Sequence, residues 1–339
     1  MSSHAFICGC AGLTLSEEER AFLRDAKPWG LILFRRNVND REQVRALTSS
    51  FREAVGRDDA PVLVDQEGGR VQRLNQPHWR KYPAAAAFDR LGWEDPYYVR
   101  ELVRLSARLM GHDLREVGIT VDCAPVADVP APGSHQIVGD RAYAADPARA
   151  AVLARAAAEG LLAAGVLPVV KHMPGHGRAL ADSHLELPVV SASLKELEES
   201  DFVPIRALAD MPLAMSAHVV YSDIDPKRPA TTSRRVVKEI MRGLLNFDGL
   251  IMSDDLSMQA LDGDMRARAA AVFKAGLDVA LHCNGDLAEM RAVAEEAPKL
   301  DGKARRRAKA ALGRIAHLPE PFDPVDAGLR IDRALAPQV

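Results

Sequence analysis

The chain has 339 residues, 47% of them hydrophobic and 27% charged, a balance that excludes a disordered, collagenous or small disulfide-stapled protein. Its 44 Lys and Arg against 47 Asp and Glu leave a net charge of −3, so no long-range field draws it to nucleic acid or to an anionic membrane. No run approaches the roughly 18 consecutive apolar residues of a membrane-spanning helix, so small-molecule pocket chemistry is the expectation.

The chain opens MSSHAFICGCAGLTLSEEER. No Lys or Arg precedes its apolar run, Gly9 interrupts that run, and Glu17, Glu18 and Glu19 follow it. A secretory signal is therefore not expected. Phe6–Ala11 reads as the first strand. Ser16 and Glu19 form a capping-box pattern, hydroxyl and carboxylate each satisfying a backbone N–H at a helix start. Further apolar, β-branched runs follow at Gly30–Phe34, Val62–Asp65, Ile119–Pro125, Val166–Lys171, Leu213–His218, Leu250–Asp254 and Val279–Cys283. Between them lie segments of helical period. In Pro96–Val117, residues Val99, Leu102, Val103, Leu109, Met110, Leu114 and Val117 keep near i, i+3, i+4, i+7 spacing. Ser193 and Glu196 repeat the capping box. Cys8, Cys10, Cys123 and Cys283 sit inside apolar runs, and buried thiols in a reducing cytoplasm are expected.

Strand runs without polar alternation belong to a parallel sheet buried on both faces. Eight of them separated by helices predict a (β/α)8 TIM-type barrel, one catalytic domain over residues 1–339, with extra loops near 66–95 and 126–147. An open doubly wound sheet would show the same alternation, but no G-x-G-x-x-G or P-loop follows any strand.

In such a barrel, reactive groups come from the C-terminal strand ends and the loops after them. The runs here end in Asp65, Asp122, Lys171-His172, His218, Asp254-Asp255 and Asn284. In KHMPGHGRALADSHLELP (171–188), Gly175 and Gly177 are expected to make a flexible loop carrying His172, His176, His184 and Asp182. A metal site using His172, His176 and Asp254 is one reading, although the spacing matches no usual zinc pattern. A polar loop satisfying its own backbone is a second, and the third is Asp182-Ser-His184 as a dyad, the carboxylate fixing the imidazole tautomer and raising its basicity for acid–base work. In GLIMSDDLSMQAL (249–261), Asp254 is expected to point into the mouth and Asp255 to cap a following helix, Met258–Ala275. In PVLVDQEGGRVQRL (61–74), Asp65 with Arg70 and Arg73 makes a carboxylate–guanidinium pair suited to sugar hydroxyls, or an ordinary ion pair.

Taken in order, DQEGGRVQRL, KHMPGHG…DSH, MSAHVVY and GLIMSDDLSM resemble glycoside hydrolase family 3, in its short, single-domain bacterial β-N-acetylhexosaminidases of peptidoglycan recycling. The resemblance spans residues 6 to about 300. Two-domain relatives lack the His dyad and take their acid/base Glu from a second domain that this length does not accommodate. The resemblance implies Asp254 as catalytic nucleophile, His184 as acid/base and Asp182 as its orienting carboxylate. It implies Asp65, Arg73, Arg141 (in GDRAYAADP), Lys171 and His172 as the residues holding N-acetylglucosamine. It implies a small carbohydrate substrate from muropeptides, no cofactor and no metal. Met173 in place of Phe, Ala142-Tyr143 in place of Ser-Phe, and the charge of Arg178 depart from the family pattern and bear on loop packing and aglycone preference.

A retaining glycosidase needs one group to attack the anomeric carbon and one to protonate the leaving oxygen, commonly two carboxyls. Here an imidazolium takes the second role. Lys171 or Arg141 nearby would keep Asp254 ionised, and the dyad loop is expected to bring His184 to the bond on substrate binding. A β-glucosidase of the same family, a phosphorylase and a metal-dependent barrel hydrolase are the alternatives. A non-catalytic sugar binder would not need the intact dyad.

Overall fold

All eight apolar runs form strands of one parallel sheet in the computed structural model, which describes residues 3–183 and 185–336. We label them β1 (His4–Cys8), β2 (Pro28–Leu33), β3 (Val62–Val64), β4 (Val121–Asp122), β5 (Leu167–Met173), β6 (Leu213–Ser216), β7 (Leu250–Asp255) and β8 (Val279–His282). Each pairs with its neighbours in the chain, and β1 closes the ring against β8 through Phe6↔Ala280 and Ile7↔Leu281. The expected (β/α)8 barrel is the observed one. β4 is shorter than its apolar run because Pro125 has no N–H to offer the ladder. Continuity is kept by Cys123, whose N–H donates to Val64 O at 2.8 Å.

Alternation along the strands sorts the core. Ile7, Leu63, Val121, Leu167, Val169, Leu213, Met215, Leu250, Met252, Val279 and Leu281 fill the barrel interior. Phe6, Val62, Val64, Val170, Ala214, Ile251 and Ala280 face the surrounding helices. Side chains on a strand repeat every second residue. Counting on by two from Leu63, Val169 and Met252 therefore reaches Asp65, Lys171 and Asp254. Asp65 and Lys171 thus stand one step beyond the last apolar layer at the C-terminal mouth; in β7 the register slips by one residue between Met252 and Asp255, and Asp254 and Asp255 both border the mouth.

The helices form where their caps predict. Ser16 with Glu19 and Ser193 with Glu196 both make full capping boxes. Helix Pro96–Glu116 buries Val99, Leu102, Val103, Leu109, Met110 and Leu114. All four cysteines are free and buried, and burial pushes the Cys10 thiol up to about 12.

One element differs. The helix after β7 runs Met265–Ala275, capped by Asp264, whose Oδ1 accepts from Ala267 N at 2.8 Å. Residues 258–264 are turns and bends, because Gly263 adopts φ +84°, outside any right-handed helix. Asp255 therefore caps no helix. Its Oδ1 accepts the N–H groups of Cys283 (3.0 Å) and Ser257 (3.1 Å), and its other oxygen accepts from the Ser257 hydroxyl.

Candidate active site

A cavity of about 190 Å³ opens at the mouth, bounded by Asp65, Glu67, Arg73, Arg141, Lys171, His172 and Asp254 over a floor of Ile32, Met215 and Leu281. One wall is a chain of alternating charges. Arg73 Nη2 donates to Asp65 Oδ2 at 2.9 Å, and Lys171 Nζ to Asp65 Oδ1 at 3.0 Å. Lys171 also reaches Glu67 Oε1 at 2.6 Å. Both oxygens of Glu67 accept from the Arg141 guanidinium, each at 2.8 Å. The fork-to-fork geometry of that last pair fixes both planes.

The segment after β3 builds this wall. A two-stranded antiparallel hairpin, Gln66–Gly68 with Val71–Gln72, returns the chain so that Arg73 meets Asp65. Arg70 leaves the hairpin for Asp140 (2.9 Å) and the carbonyls of Gln136 and Ile137, tying down the loop that presents Arg141. Burial alone would raise the Asp65 and Glu67 carboxyls. The cations outweigh it, Lys171 and Arg73 for Asp65 and Lys171 and Arg141 for Glu67, and hold both below the usual range.

Across the cavity stands Asp254. Burial opposes its charge, but His218, His172, the Asp255 N–H (2.8 Å to Oδ1) and Lys171 hold its pKa below the ordinary value. It is ionised at neutral pH. His218 is itself fixed, Nδ1 on the Thr231 hydroxyl (2.7 Å) and Nε2 on the Asp255 carbonyl (3.0 Å). Asp254 and Asp255 both border the cavity; both oxygens of Asp255 are engaged, by Cys283 N and by Ser257, whereas Asp254 accepts the Asp255 N–H on Oδ1.

The Lys171–His172 peptide bond is cis, and both side chains line the cavity. Behind them lies Asp128, wholly buried in the loop after β4. Its Oδ2 meets His172 Nδ1 at 2.7 Å, and its Oδ1 accepts the N–H groups of His172 (3.2 Å) and His176 (2.7 Å). The Asp128 carboxyl is held down at about 2, burial being outweighed by His172, His176 and these bonds. Burial and the neighbouring His172 push His176 down to about 4, so it is neutral at pH 7, with Nε2 3.2 Å from the Ser183 hydroxyl.

Gly175 and Gly177 stand where no side chain would fit. A Cβ on Gly177 would fall 1.9 Å from the Val129 carbonyl oxygen, and the Gly177 and Ala179 carbonyls accept from Ala131 N (3.1 Å) and His135 N (2.8 Å). The Tyr221 hydroxyl bonds the Gly175 carbonyl. Arg178, the unusual charge, anchors the same stretch through Asp201 (2.6 Å) and Ser200 (2.8 Å).

Residues 7–318 match the glycosyl hydrolase family 3 N terminal domain. The chain belongs to glycosyl hydrolase family 3. It is a glycoside hydrolase, and a beta-hexosaminidase of Pseudomonas aeruginosa is 44% identical to it over 279 residues, 80% of each chain. A beta-hexosaminidase of Aromatoleum aromaticum is 38% identical over 318 residues, 93% of this chain and 87% of that one. Among solved structures, NagZ from Neisseria gonorrhoeae in complex with N-trifluoroacetyl-D-glucosamine superposes with a TM-score of 0.85 at 30% identity, covering 99% of this chain and 97% of that one.

Asp65, Arg73, Arg141, Lys171, His172 and Asp254 meet in the family 3 cavity. Asp182 is half-buried and stands off its wall, while the adjacent Ser183 lines it. His184 lies outside the described residues. Among the described residues no group of three or more His, Cys, Asp or Glu side chains is placed to hold a metal ion, so His172, His176 and Asp254 do not form the trio considered above. Two other strand ends fall away from the cavity. Asp122 is buried against Gln66 N (3.0 Å), and Asn284 bonds Glu289 at the surface. Glu67, Asp128 and the hold on His218 were not anticipated. For Glu67 a signal existed, since it sits inside DQEGGRVQRL two residues from Asp65. Asp128 lies 44 residues from His172 in an irregular loop, without periodicity to mark it.

Proposed function

We propose that this chain is a retaining exo-β-N-acetylglucosaminidase that removes non-reducing N-acetylglucosamine from peptidoglycan-derived muropeptides in the cytoplasm, acting as a single catalytic domain. The observation that carries the proposal is the ionised Asp254 lining the cavity at the end of β7, with the Arg73–Asp65–Lys171–Glu67–Arg141 chain in the same cavity wall. The beta-hexosaminidase relatives support the N-acetyl sugar. So does the N-trifluoroacetyl-D-glucosamine complex of the structural neighbour. Free buried cysteines are compatible with a reducing compartment, and no described helix is long and apolar enough to cross a membrane.

In this reading the charged wall holds the ring hydroxyls, each of which donates and accepts and so suits a row of alternating cations and carboxylates. Asp254 attacks the anomeric carbon as the bond to the leaving oxygen breaks, giving a covalent glycosyl-enzyme. His184, oriented by Asp182, gives its proton to that oxygen, then takes one from the water that attacks the intermediate. The sugar leaves with its configuration retained and Asp254 regains its charge.

The test uses dinitrophenyl N-acetyl-β-glucosaminide, whose leaving group needs no proton. His184→Ala should form the intermediate on Asp254 and stall there, and azide, which needs no base, should restore turnover and yield the β-glycosyl azide. On the natural disaccharide the loss should be about 10²–10⁴-fold, the usual contribution of general acid–base help. Equal losses on both substrates with no azide effect would remove the dyad from the mechanism.

A further inference from the structure

Asp122 ends β4 between Val121 and Cys123, which both face the barrel interior, so its own side chain turns toward the surrounding helices. There it shares a small cavity, of about 20 Å³, with Val103, Ala107 and Met110 of helix Pro96–Glu116 and with Ala157 and Leu161 of helix Pro147–Ala163. The residue is fully buried. Its Oδ1 accepts the Gln66 N–H at 3.0 Å, and its Oδ2 meets no hydrogen-bond partner among the described residues. Lys171 attracts the carboxyl without pairing with it, and Asp65 and Glu67 repel its charge. A carboxylate left unpaired in an apolar layer is far costlier than one that keeps its proton. Burial and the two neighbouring carboxylates accordingly hold Asp122 well above the usual range, so at pH 7 it is a neutral acid with an O–H to donate.

Glu67 borders this small cavity and the catalytic one alike. On the catalytic side it takes Lys171 and both arms of the Arg141 fork. On the hidden side the cavity also meets the side chains of Ser106 and Tyr143. Burial, Asp122 and Glu67 all push Tyr143 up, so its hydroxyl keeps its proton too. The other titratable groups near Asp122 are Asp65, Lys171 and the Cys123 thiol, and the two helices bring only apolar residues and Ser106 to the cavity. A buried water needs roughly 10–15 Å³ and two to four polar partners. This cavity supplies both.

We infer that Asp122 and Tyr143 are positioning residues behind the charged wall, joined to Glu67 by one water held in this cavity. The inference rests on the proposed reading that the wall holds the sugar ring. The hydrogen bonds balance: the Asp122 and Tyr143 O–H groups donate to the water, and the water donates to Glu67 and to the Ser106 hydroxyl oxygen. Because Asp122 stays neutral, no third carboxylate competes for Lys171, which is left to Asp65 and Glu67.

The experiment compares wild type with Asp122→Asn, Asp122→Leu, Tyr143→Phe and the Asp122→Leu/Tyr143→Phe double variant on an aryl N-acetyl-β-glucosaminide. Asp122→Leu should raise KM about tenfold with kcat little changed, the usual effect of losing a hydrogen bond to a charged group. Asp122→Asn, whose amide still donates, should recover most of that loss. Tyr143→Phe should cost about threefold, and the double variant no more than Asp122→Leu alone, since both act through one water. Additive losses, or an Asn variant no better than Leu, would overturn the inference. Two further readouts do not depend on turnover. Infrared spectra of wild type at pH 7 should show a carboxylic-acid carbonyl band that Asp122→Asn lacks. In urea unfolding, folded Asp122 keeps a proton that the unfolded chain gives up, so the wild-type midpoint should fall relative to Asp122→Asn as pH rises above about 4. Absence of the band, or a midpoint difference independent of pH, would overturn the inference even if Asp122→Leu failed to fold. All of these results leave the glycosidase reading standing. Failure of wild type to cleave the aryl glycoside would remove that reading, and the positioning role with it.

Discussion

Replacing Glu67 by Gln removes one charge from the middle of the buried chain. Glu67, Lys171 and Arg141 side chains are 5%, 3% and 11% exposed, so solvent does little to screen them. Breaking a buried ion pair by deleting one partner costs about 3–5 kcal/mol, because the other charge stays buried. Here the cost is softened. Lys171 keeps Asp65 at 3.0 Å, Arg141 keeps the Ile137 carbonyl at 3.1 Å, and the Gln oxygen still accepts one bond. About 2–3 kcal/mol should be lost, or roughly 30- to 150-fold in kcat/KM if the loss falls on the placement of Lys171 and Arg141. The companion measurement is urea unfolding against pH. The folded Glu67 carboxyl lies below its unfolded value, so its contribution is complete above the ordinary Glu range near pH 4.3 and fades as pH falls through the folded value. The deficit of Glu67→Gln should be constant between pH 6 and 8 and shrink below about 4. A variant within threefold of wild-type kcat/KM and with an unchanged urea midpoint would refute the energetic role of the chain.

Other outcomes follow from single contacts. Asp254→Asn should abolish turnover and leave the urea midpoint close to wild type. Asp255→Asn, which disturbs the bonds to Cys283 N and Ser257, should lower stability more than it lowers kcat; the reverse ranking would contradict the assignment of Asp254 as the attacking group. His176 titrates near 4 in the fold, so the unfolded state binds its proton first as pH drops below about 6.5 and stability falls toward pH 4. Between pH 7 and 5 that amounts to about 2 kcal/mol, and His176→Asn should flatten this part of the urea-midpoint profile. Gly177→Ala sets a methyl against the Val129 carbonyl and should cost on the order of 3 kcal/mol in urea unfolding; a neutral result would show that the two segments separate freely.

The barrel was legible because each strand is a short apolar run bounded by polar residues, and the mouth because interior parity runs from Leu63 to Asp65 and from Val169 to Lys171; in β7 a register slip after Met252 breaks that count, and Asp254 and Asp255 both reach the mouth. Partners that come from a distant loop leave no such trace. Asp128 looks like any loop acid until β5 delivers His172 against it. Glu67 was overlooked beside the more familiar Asp65–Arg73 pair. The two glycines of PGHG suggested freedom, and nothing in the sequence signalled that their missing Cβ atoms also seat the chain on Val129 and Asp201. Met258–Ala275 has a helical apolar period throughout, but Asp262-Gly263-Asp264 interrupts it with a glycine bend and a fresh cap.

The proposed use of an imidazole instead of a second carboxyl follows from the charge already in the mouth. Lys171, Arg73 and Arg141 hold Asp65 and Glu67, the carboxyls they pair with directly, below their ordinary range, whereas burial raises Asp122, which Lys171 also attracts without pairing with it. A Glu serving as general acid must stay protonated near neutral pH, which requires the opposite shift, so a carboxyl drawn into an ion pair with this wall would give up its proton before it could reach the leaving oxygen. An imidazole starts near 6.5, and a carboxylate neighbour such as Asp182 or the ionised Asp254 moves it upward, toward the operating pH. On the proposed assignment, the cations that keep the nucleophile charged therefore disfavour a carboxylic acid partner and leave histidine as the group able to lend a proton and recover it. The corresponding expectation is that His184→Glu, with Asp182 retained, keeps an acid-shifted residue of activity on the natural disaccharide. Its kcat/KM optimum should move down by more than one pH unit from wild type, and an unshifted optimum would mean that the cationic wall does not govern the acid.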